Sequence, residues 1–194
     1  MHLSKWCQEL KNCTRRKDLA EGSRIHAFLL RVGSFEQDSY VDFTLLNFYA
    51  KCGAFTKAQE VLDDLPFQDV ISWNSMIAAY AQQGKSENAM HCFDEMQKEG
   101  HSPDWVTFTS VVKACGSIGA IDKGKQIHED IVNRGSLKKD IMLGTALVDM
   151  YAKCGELAKA QQVLEELHIR DVVCWSALIA GYSEQGKNCE ALNS

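Results

Sequence analysis

Residues 70–104, VISWNSMIAAYAQQGKSENAMHCFDEMQKEGHSPD, decide how the whole chain is read. Apolar residues Ile71, Trp73, Ile77 and Tyr80 give Ile71–Ala81 one greasy face and predict a short helix. Gly84 ends it. Ser86 is the expected N-cap of a second helix whose face is Ala89, Met90, Phe93 and Met96. Gly100 sits where that helix should stop, and Pro103 bars its continuation. The stretch is a helical hairpin with a closing turn.

Outward from it, the same hairpin recurs. YAKCG stands at 49–53 and again at 151–155, an offset of 102 residues. That offset lays Cys13 on Cys115, Gly22 on Gly124, His26 on His128, Asp38 on Asp140, Asp69 on Asp171 and Trp73 on Trp175. About a third of the aligned positions are identical, far above chance for unrelated segments. Three smaller units fill each period. The expected boundaries are 3–38, 39–69, 70–104, 105–140, 141–171 and 172–194, the last stopping inside its second helix. Phe55, Ala58, Leu62 and Leu65 form one stripe on a second helix, and Leu157, Ala160, Leu164 and Leu167 repeat it. One hairpin cannot bury such a stripe alone, so the hairpins must stack. The expected fold is all-α, an α-solenoid of helix-turn-helix hairpins.

Composition narrows the function. Net charge is −5, so the chain as a whole repels polyanions. No apolar run is long enough to span a membrane. The first residues, MHLSKWCQELKNC, lack the apolar core of a signal peptide and the length of an organellar transit peptide. None of the eight cysteines makes a CxxC or CxxxC pair, so the spacing predicts buried thiols, with no metal or cofactor. His26 and His128, in GSRIH and GKQIH, read as packing histidines. Trp73 and Trp175 read as core anchors. Asp63–Asp64 and Glu165–Glu166 read as a solvated face. No phosphate-binding glycine loop and no Ser/His/Asp constellation is present. Neither an enzyme nor a small-molecule binder is expected.

The strings DVISWNSMIAAYAQQGKSENAMHCFDEMQKEGHSPD and LGTALVDMYAKCGELAKAQQVLEELHIRDVVCWSALIAGYSEQGK resemble the pentatricopeptide repeat of plant organellar proteins. FTSVVKACGSIGAIDKGKQIHEDIVNRG resembles its long motif, and the YAKCG units resemble its short motif. The order long, short, standard, twice over (L-S-P-L-S-P), is similar to the PLS subclass. The resemblance covers nearly the whole chain. It implies a right-handed superhelix that binds single-stranded RNA, one base per hairpin, with two or three side chains reading each base. It also implies a mitochondrial or chloroplast location and a role as specificity module for RNA editing or processing, beside editing accessory proteins. The H-x-E and P-C-x-x-C signature of a zinc deaminase is absent from this sequence.

In the family, the fifth and last residues of a unit read the base, and the second residue flanks it. Carried over, Asn74 with Asp104 form a uracil-preferring pair between Ile71 and Val106. Thr145 with Asp171 resemble the guanine-preferring pair, between Met142 and Val173. The long unit offers Thr109 with Asp140, and the last unit offers Ser176, whose closing partner would follow Ser194. Phe43 with Asp69 and Cys7 with Asp38 depart from the pattern. Asn74 is expected to face away from the hairpin core, so that replacing it leaves the fold unchanged. Two alternatives accompany this reading: a helical-repeat scaffold for protein partners, and a truncated array without independent function.

Overall fold

A computed structural model describes residues 3–31, 39–65, 67–135, 141–167 and 172–184. Eleven α-helices and no strand occupy the described residues. They are α1 (Leu3–Arg16), α2 (Leu19–Arg31), α3 (Ser39–Lys51), α4 (Phe55–Asp63), α5 (Val70–Gln82), α6 (Ser86–Lys98), α7 (Trp105–Ile118), α8 (Ile121–Asn133), α9 (Ile141–Lys153), α10 (Leu157–Glu166) and α11 (Val172–Glu184). Asp38, Asp140, Asp171 and everything after residue 184 lie outside the described residues.

Packing follows the hairpin logic. The odd-numbered helices stand side by side, α1 on α3, α3 on α5, and so on to α9 on α11. The even-numbered helices form a second layer. Each packs on its own partner, and α2, α6, α8 and α10 also touch the first helix of the next hairpin. The result is an α-solenoid with one continuous core. Trp73, Ile77, Ala89, Phe93 and Met96 of the central hairpin are all buried, as are Ala58 and Leu62 one hairpin earlier and Ala160 and Leu164 two hairpins later. Ile71 is the exception on its predicted face. It is 58% exposed, at the open end of α5 rather than in the core.

The tight turn inside four of the hairpins is made by backbone alone. Gly53, Gly84, Gly119 and Gly155 have φ between 71° and 82°, a conformation glycine reaches without Cβ strain. The residue after each glycine donates its N–H back across the turn: Ala54 to Tyr49 O, Lys85 to Tyr80 O, Ala120 to Cys115 O and Glu156 to Tyr151 O, at 2.9–3.0 Å. These bonds satisfy carbonyls that the helix end would otherwise leave free. They also displace the expected cap. Lys85, not Ser86, is the N-cap of α6, and no side chain caps it. Ser86 lies inside the helix, 2% exposed, with its hydroxyl unpaired.

The 102-residue periodicity has a packing cause. A Cβ on Gly22 would fall 2.0 Å from the Phe48 ring, and one on Gly124 would fall 2.7 Å from Met150 Sδ. At Gly22 the second helix meets a rigid ring of the next first helix and leaves no room for a side chain, while at Gly124 a methyl would require the Met150 side chain to shift. The recurring histidines also gain partners. His26 Nδ1 lies 2.8 Å from the Tyr49 hydroxyl, and His128 Nδ1 lies 2.9 Å from that of Tyr151. Each pair ties a second helix to the following first helix. Burial is the main cause that lowers both imidazole pKa values below the usual 6.5.

Candidate functional site

The site grows from the starts of the first helices. Asp69 is the N-cap of α5, and its carboxylate accepts from Ser72 N and Ser72 Oγ, both at 2.8 Å. Asp104 is the N-cap of α7, accepting from Thr107 N at 2.9 Å. Thr107 Oγ1 accepts in turn from Asp104 N at 3.1 Å, which closes a reciprocal capping box. The aspartate that closes one unit is therefore the cap that starts the next, and helix physics alone places it there.

Asn74, on α5, reaches this cap. Its Nδ2 donates to both Asp104 oxygens, at 3.0 and 3.1 Å. Its Oδ1 accepts from the Thr107 hydroxyl at 2.6 Å. An ionised carboxylate only accepts, so the amide nitrogen must face Asp104. Asn74 is 8% exposed, against the expectation that it would stand clear of the packed structure. The reason is the cap, which draws the amide into the seam between two hairpins. What remains outward is the edge of the amide. It borders a groove of about 350 Å³ whose lining includes Ile71, Val106, Lys51 and Asn47.

One hairpin earlier a groove of about 380 Å³ is lined by Tyr40, Phe43, Phe67, Asp69 and Ser72. The cap is the same, but Phe43 brings a ring where Asn74 brings an amide. Ile71 lines both grooves.

The remaining sequence-predicted residues divide. Thr145 Oγ1 donates to Ile141 O at 2.8 Å and lies 3.1 Å from Cys174 Sγ. Thr109 donates to Trp105 O at 2.7 Å, and Ser176 donates to Val172 O at 2.7 Å. Each of these hydroxyls gives its proton to its own helix, so it offers an approaching group only lone pairs. Their partners Asp140 and Asp171 lie outside the described residues. Met142 and Val173 are more than half exposed, as flanking residues would have to be.

Thr107 is the site residue that the sequence reading missed. The signal was there, since Asp104-Trp-Val-Thr107 and Asp69-Val-Ile-Ser72 both carry the spacing of a helix-start capping pair. Among the described residues no group of three or more His, Cys, Asp or Glu could hold a metal ion.

Comparison with known proteins agrees with this architecture. The PPR repeat family profile matches residues 68–117, and the PPR repeat profile matches 106–136 and 145–172. A chloroplastic pentatricopeptide repeat-containing protein of Arabidopsis thaliana is 36% identical over 187 residues, covering 96% of this chain and 30% of that protein. A second from the same plant, the chloroplastic protein CRR2, is 40% identical over 176 residues, covering 90% and 26%. The chain thus spans less than a third of the length of these relatives. In three dimensions it is similar to the pentatricopeptide repeat protein PPR10 from maize, with a TM-score of 0.74 at 18% identity, over 95% of this chain and 27% of that one. PPR10 in complex with an 18-nt psaJ RNA element superposes with a TM-score of 0.72, also at 18% identity, over 88% and 26%. By its repeat profiles, its relatives and its solenoid, the chain belongs to the pentatricopeptide repeat family.

Proposed function

We propose that this chain is a sequence-selective binder of single-stranded RNA that takes one base per hairpin and carries out no chemistry of its own. One observation supports this most: the Asn74 amide, held at two edges by Asp104 and Thr107, at the rim of a groove that Ile71 and Val106 help to line. A base entering that groove would have apolar side chains against its faces and a fixed amide against its edge. A uracil edge has a carbonyl to accept from Nδ2 and an N3–H to donate to Oδ1. Thr145 and Thr109 offer lone pairs, which suit a base whose edge donates, as guanine N1–H and N2–H do. The PPR10 complex holds RNA, and several of the curated relatives, though not all, are named chloroplastic or mitochondrial. These likenesses support a reading in which the chain works in a mitochondrion or chloroplast, as part of the specificity module of an RNA editing or processing protein, with editing accessory proteins as further partners. We read its units as the L-S-P-L-S-P order of the PLS subclass.

Titration of RNAs that differ at single bases tests the reading. Binding that weakens steeply with added salt and favours uracil at one register is expected. Binding to protein partners alone, with no RNA bound at low salt, would favour the scaffold alternative.

A further inference from the structure

We infer that Thr107 is a positioning residue for base choice by the preceding hairpin: the identity of the base set at Asn74 depends on a hydroxyl supplied by the next repeat. The inference rests on the RNA-reading function proposed above and assigns part of that selectivity to a residue outside the reading pair.

The amide of Asn74 carries a donor and an acceptor on one plane. Turned one way, it matches uracil, with O4 accepting and N3–H donating. Turned over, it matches cytosine, with N4–H donating and N3 accepting. An asparagine free to turn would therefore accept either pyrimidine. Asp104 holds the nitrogen edge at 3.0 and 3.1 Å. That contact alone leaves the amide able to swing about its held nitrogen. Thr107 holds the oxygen edge at 2.6 Å; Asp104 sets which end is the donor, and the two contacts together fix the plane, so that Oδ1 stays where a uracil N3–H can reach it. Thr107 is itself fixed, 0% exposed, with its oxygen accepting from Asp104 N at 3.1 Å. Its one proton has two acceptors in reach, Asn74 Oδ1 at 2.6 Å and Asp104 Oδ1 at 3.0 Å. Asn74 is the nearer.

The other seams show the same position filled by different chemistry. Cys174 occupies it for Thr145, with its sulfur 3.1 Å from the Thr145 hydroxyl. That hydroxyl also donates to Ile141 O at 2.8 Å, and the thiol, a weak donor, can give its proton to the Thr145 oxygen. Leu143 occupies it for Thr109 and Val41 for Cys7, and neither side chain can donate. Ser72 occupies it for Phe43, whose ring has no polar group to orient, so the seams divide into three with a polar third residue (Ser72, Thr107, Cys174) and two without one (Val41, Leu143). Only the former can orient a reading side chain from the next hairpin.

The test uses the full chain and synthetic single-stranded RNAs that differ only by uracil or cytosine at the register of Asn74. The readout is the ratio of the two dissociation constants in the parent, Thr107→Ser, Thr107→Cys and Thr107→Val. A purely structural loss weakens both RNAs alike and leaves the ratio unmoved. Positioning predicts a parent-like ratio for Thr107→Ser and a smaller one for Thr107→Cys. For Thr107→Val the ratio should fall about fivefold or more. In an Asn74→Ala background, Thr107→Val should leave the ratio unchanged. Helix content by circular dichroism accompanies each variant. Should Thr107→Val lose its helices, Thr107→Cys carries the comparison, because it keeps a weak donor in the same place. A parent-like ratio in the folded variant that carries the comparison overturns the inference while the RNA-reading function stands. A parent that does not distinguish the two RNAs overturns both.

Discussion

Replacing Asn74 by alanine removes three contacts at once: the two to Asp104 at 3.0 and 3.1 Å and the one from Thr107 at 2.6 Å. The groups left behind are not stranded. Asp104 still accepts from Thr107 N at 2.9 Å, and the Thr107 hydroxyl can turn to Asp104 Oδ1, 3.0 Å away. The loss of stability is therefore that of ordinary hydrogen bonds rather than of an unpaired buried charge, about 1–2 kcal/mol. The loss of base discrimination is a separate quantity. A bidentate amide-to-base contact is worth about 1–3 kcal/mol against the wrong base, which is about 5-fold to 150-fold in a ratio of dissociation constants. Fluorescence anisotropy at fixed ionic strength, with uracil or cytosine at the matching register, measures it. Urea titration of the same variant measures the first quantity. Ile71 and Val106 remain, so affinity for the cytosine RNA should change little once any unfolded fraction is accounted for. A folded Asn74→Ala protein that separates the two RNAs as well as the parent would refute the reader assignment. A variant as stable as the parent would show that the bonds to the cap contribute nothing to the fold.

Gly22→Ala should destabilise the chain by about 1–2 kcal/mol, while Gly124→Ala should be close to neutral. The inserted methyl meets a rigid Phe48 ring in one case and the flexible Met150 side chain in the other, and the helix-propensity gain of about 1 kcal/mol is common to both; thermal melts of the two variants compare them. Folding stability should fall as pH drops below 6.5. Burial depresses the pKa values of His26 and His128 in the folded chain, so the unfolded chain takes up protons there that the folded chain does not. Urea midpoints at pH 7.5 and 5.5 should show this, and the double variant His26→Gln/His128→Gln should lose part of the drop. Lys51→Ala should weaken all RNAs alike and reduce the salt dependence, because Lys51 lines the Asn74 groove and a lysine cation attracts the backbone phosphates whatever the base; a base-dependent effect in the anisotropy titration would contradict this.

The hairpins were legible because their determinants are local. An apolar residue every three or four positions, a glycine where φ must be positive and a proline after the helix all act within one turn of the chain. Ala89, Phe93 and Met96 were predicted as a face and are buried as one. What was not legible depends on the neighbouring hairpin. Ser86 has the chemistry of an N-cap, yet the Gly84 turn bonds Lys85 N to Tyr80 O and carries Ser86 into the helix and into the core. Asn74 looked like an outward polar residue because nothing within its own helix pairs with it. Its partners lie 30 and 33 residues ahead. The histidines at 26 and 128 were read correctly as packing residues, but each one's tyrosine partner is 23 residues on, in the next first helix. Sequence pattern gives the faces of each hairpin, whereas the candidate site is assembled across the seam between hairpins.

The acidic balance of the chain bears on its partner less than the sum suggests, because the charge is not spread evenly over the two layers. The acids gather on the second helices: Glu87, Asp94 and Glu95 on α6, Asp122, Glu129 and Asp130 on α8, Glu165 and Glu166 on α10. Among the first helices, α5 has no charged residue at all, Lys113 is the one charge on α7, and α1 carries Lys5, Lys11, Arg15 and Arg16 against Glu9 alone. Exposed charges more than about 10 Å apart are largely screened at physiological salt. A strand lying along the first-helix layer would therefore be governed by the nearby Lys51, Lys113 and α1 cations more than by acids on the opposite layer. Two of those acids are also matched, Asp94 by Lys123 at 2.7 Å and Glu95 by Lys98, and Glu156 just before α10 is matched by Lys125 at 2.8 Å. The same separation of charge argues against a strongly basic protein as occupant of the first-helix layer, since most of the carboxylates that would attract it lie on the second helices, and Asp69 and Asp104 at the first-helix starts are already taken up in helix caps.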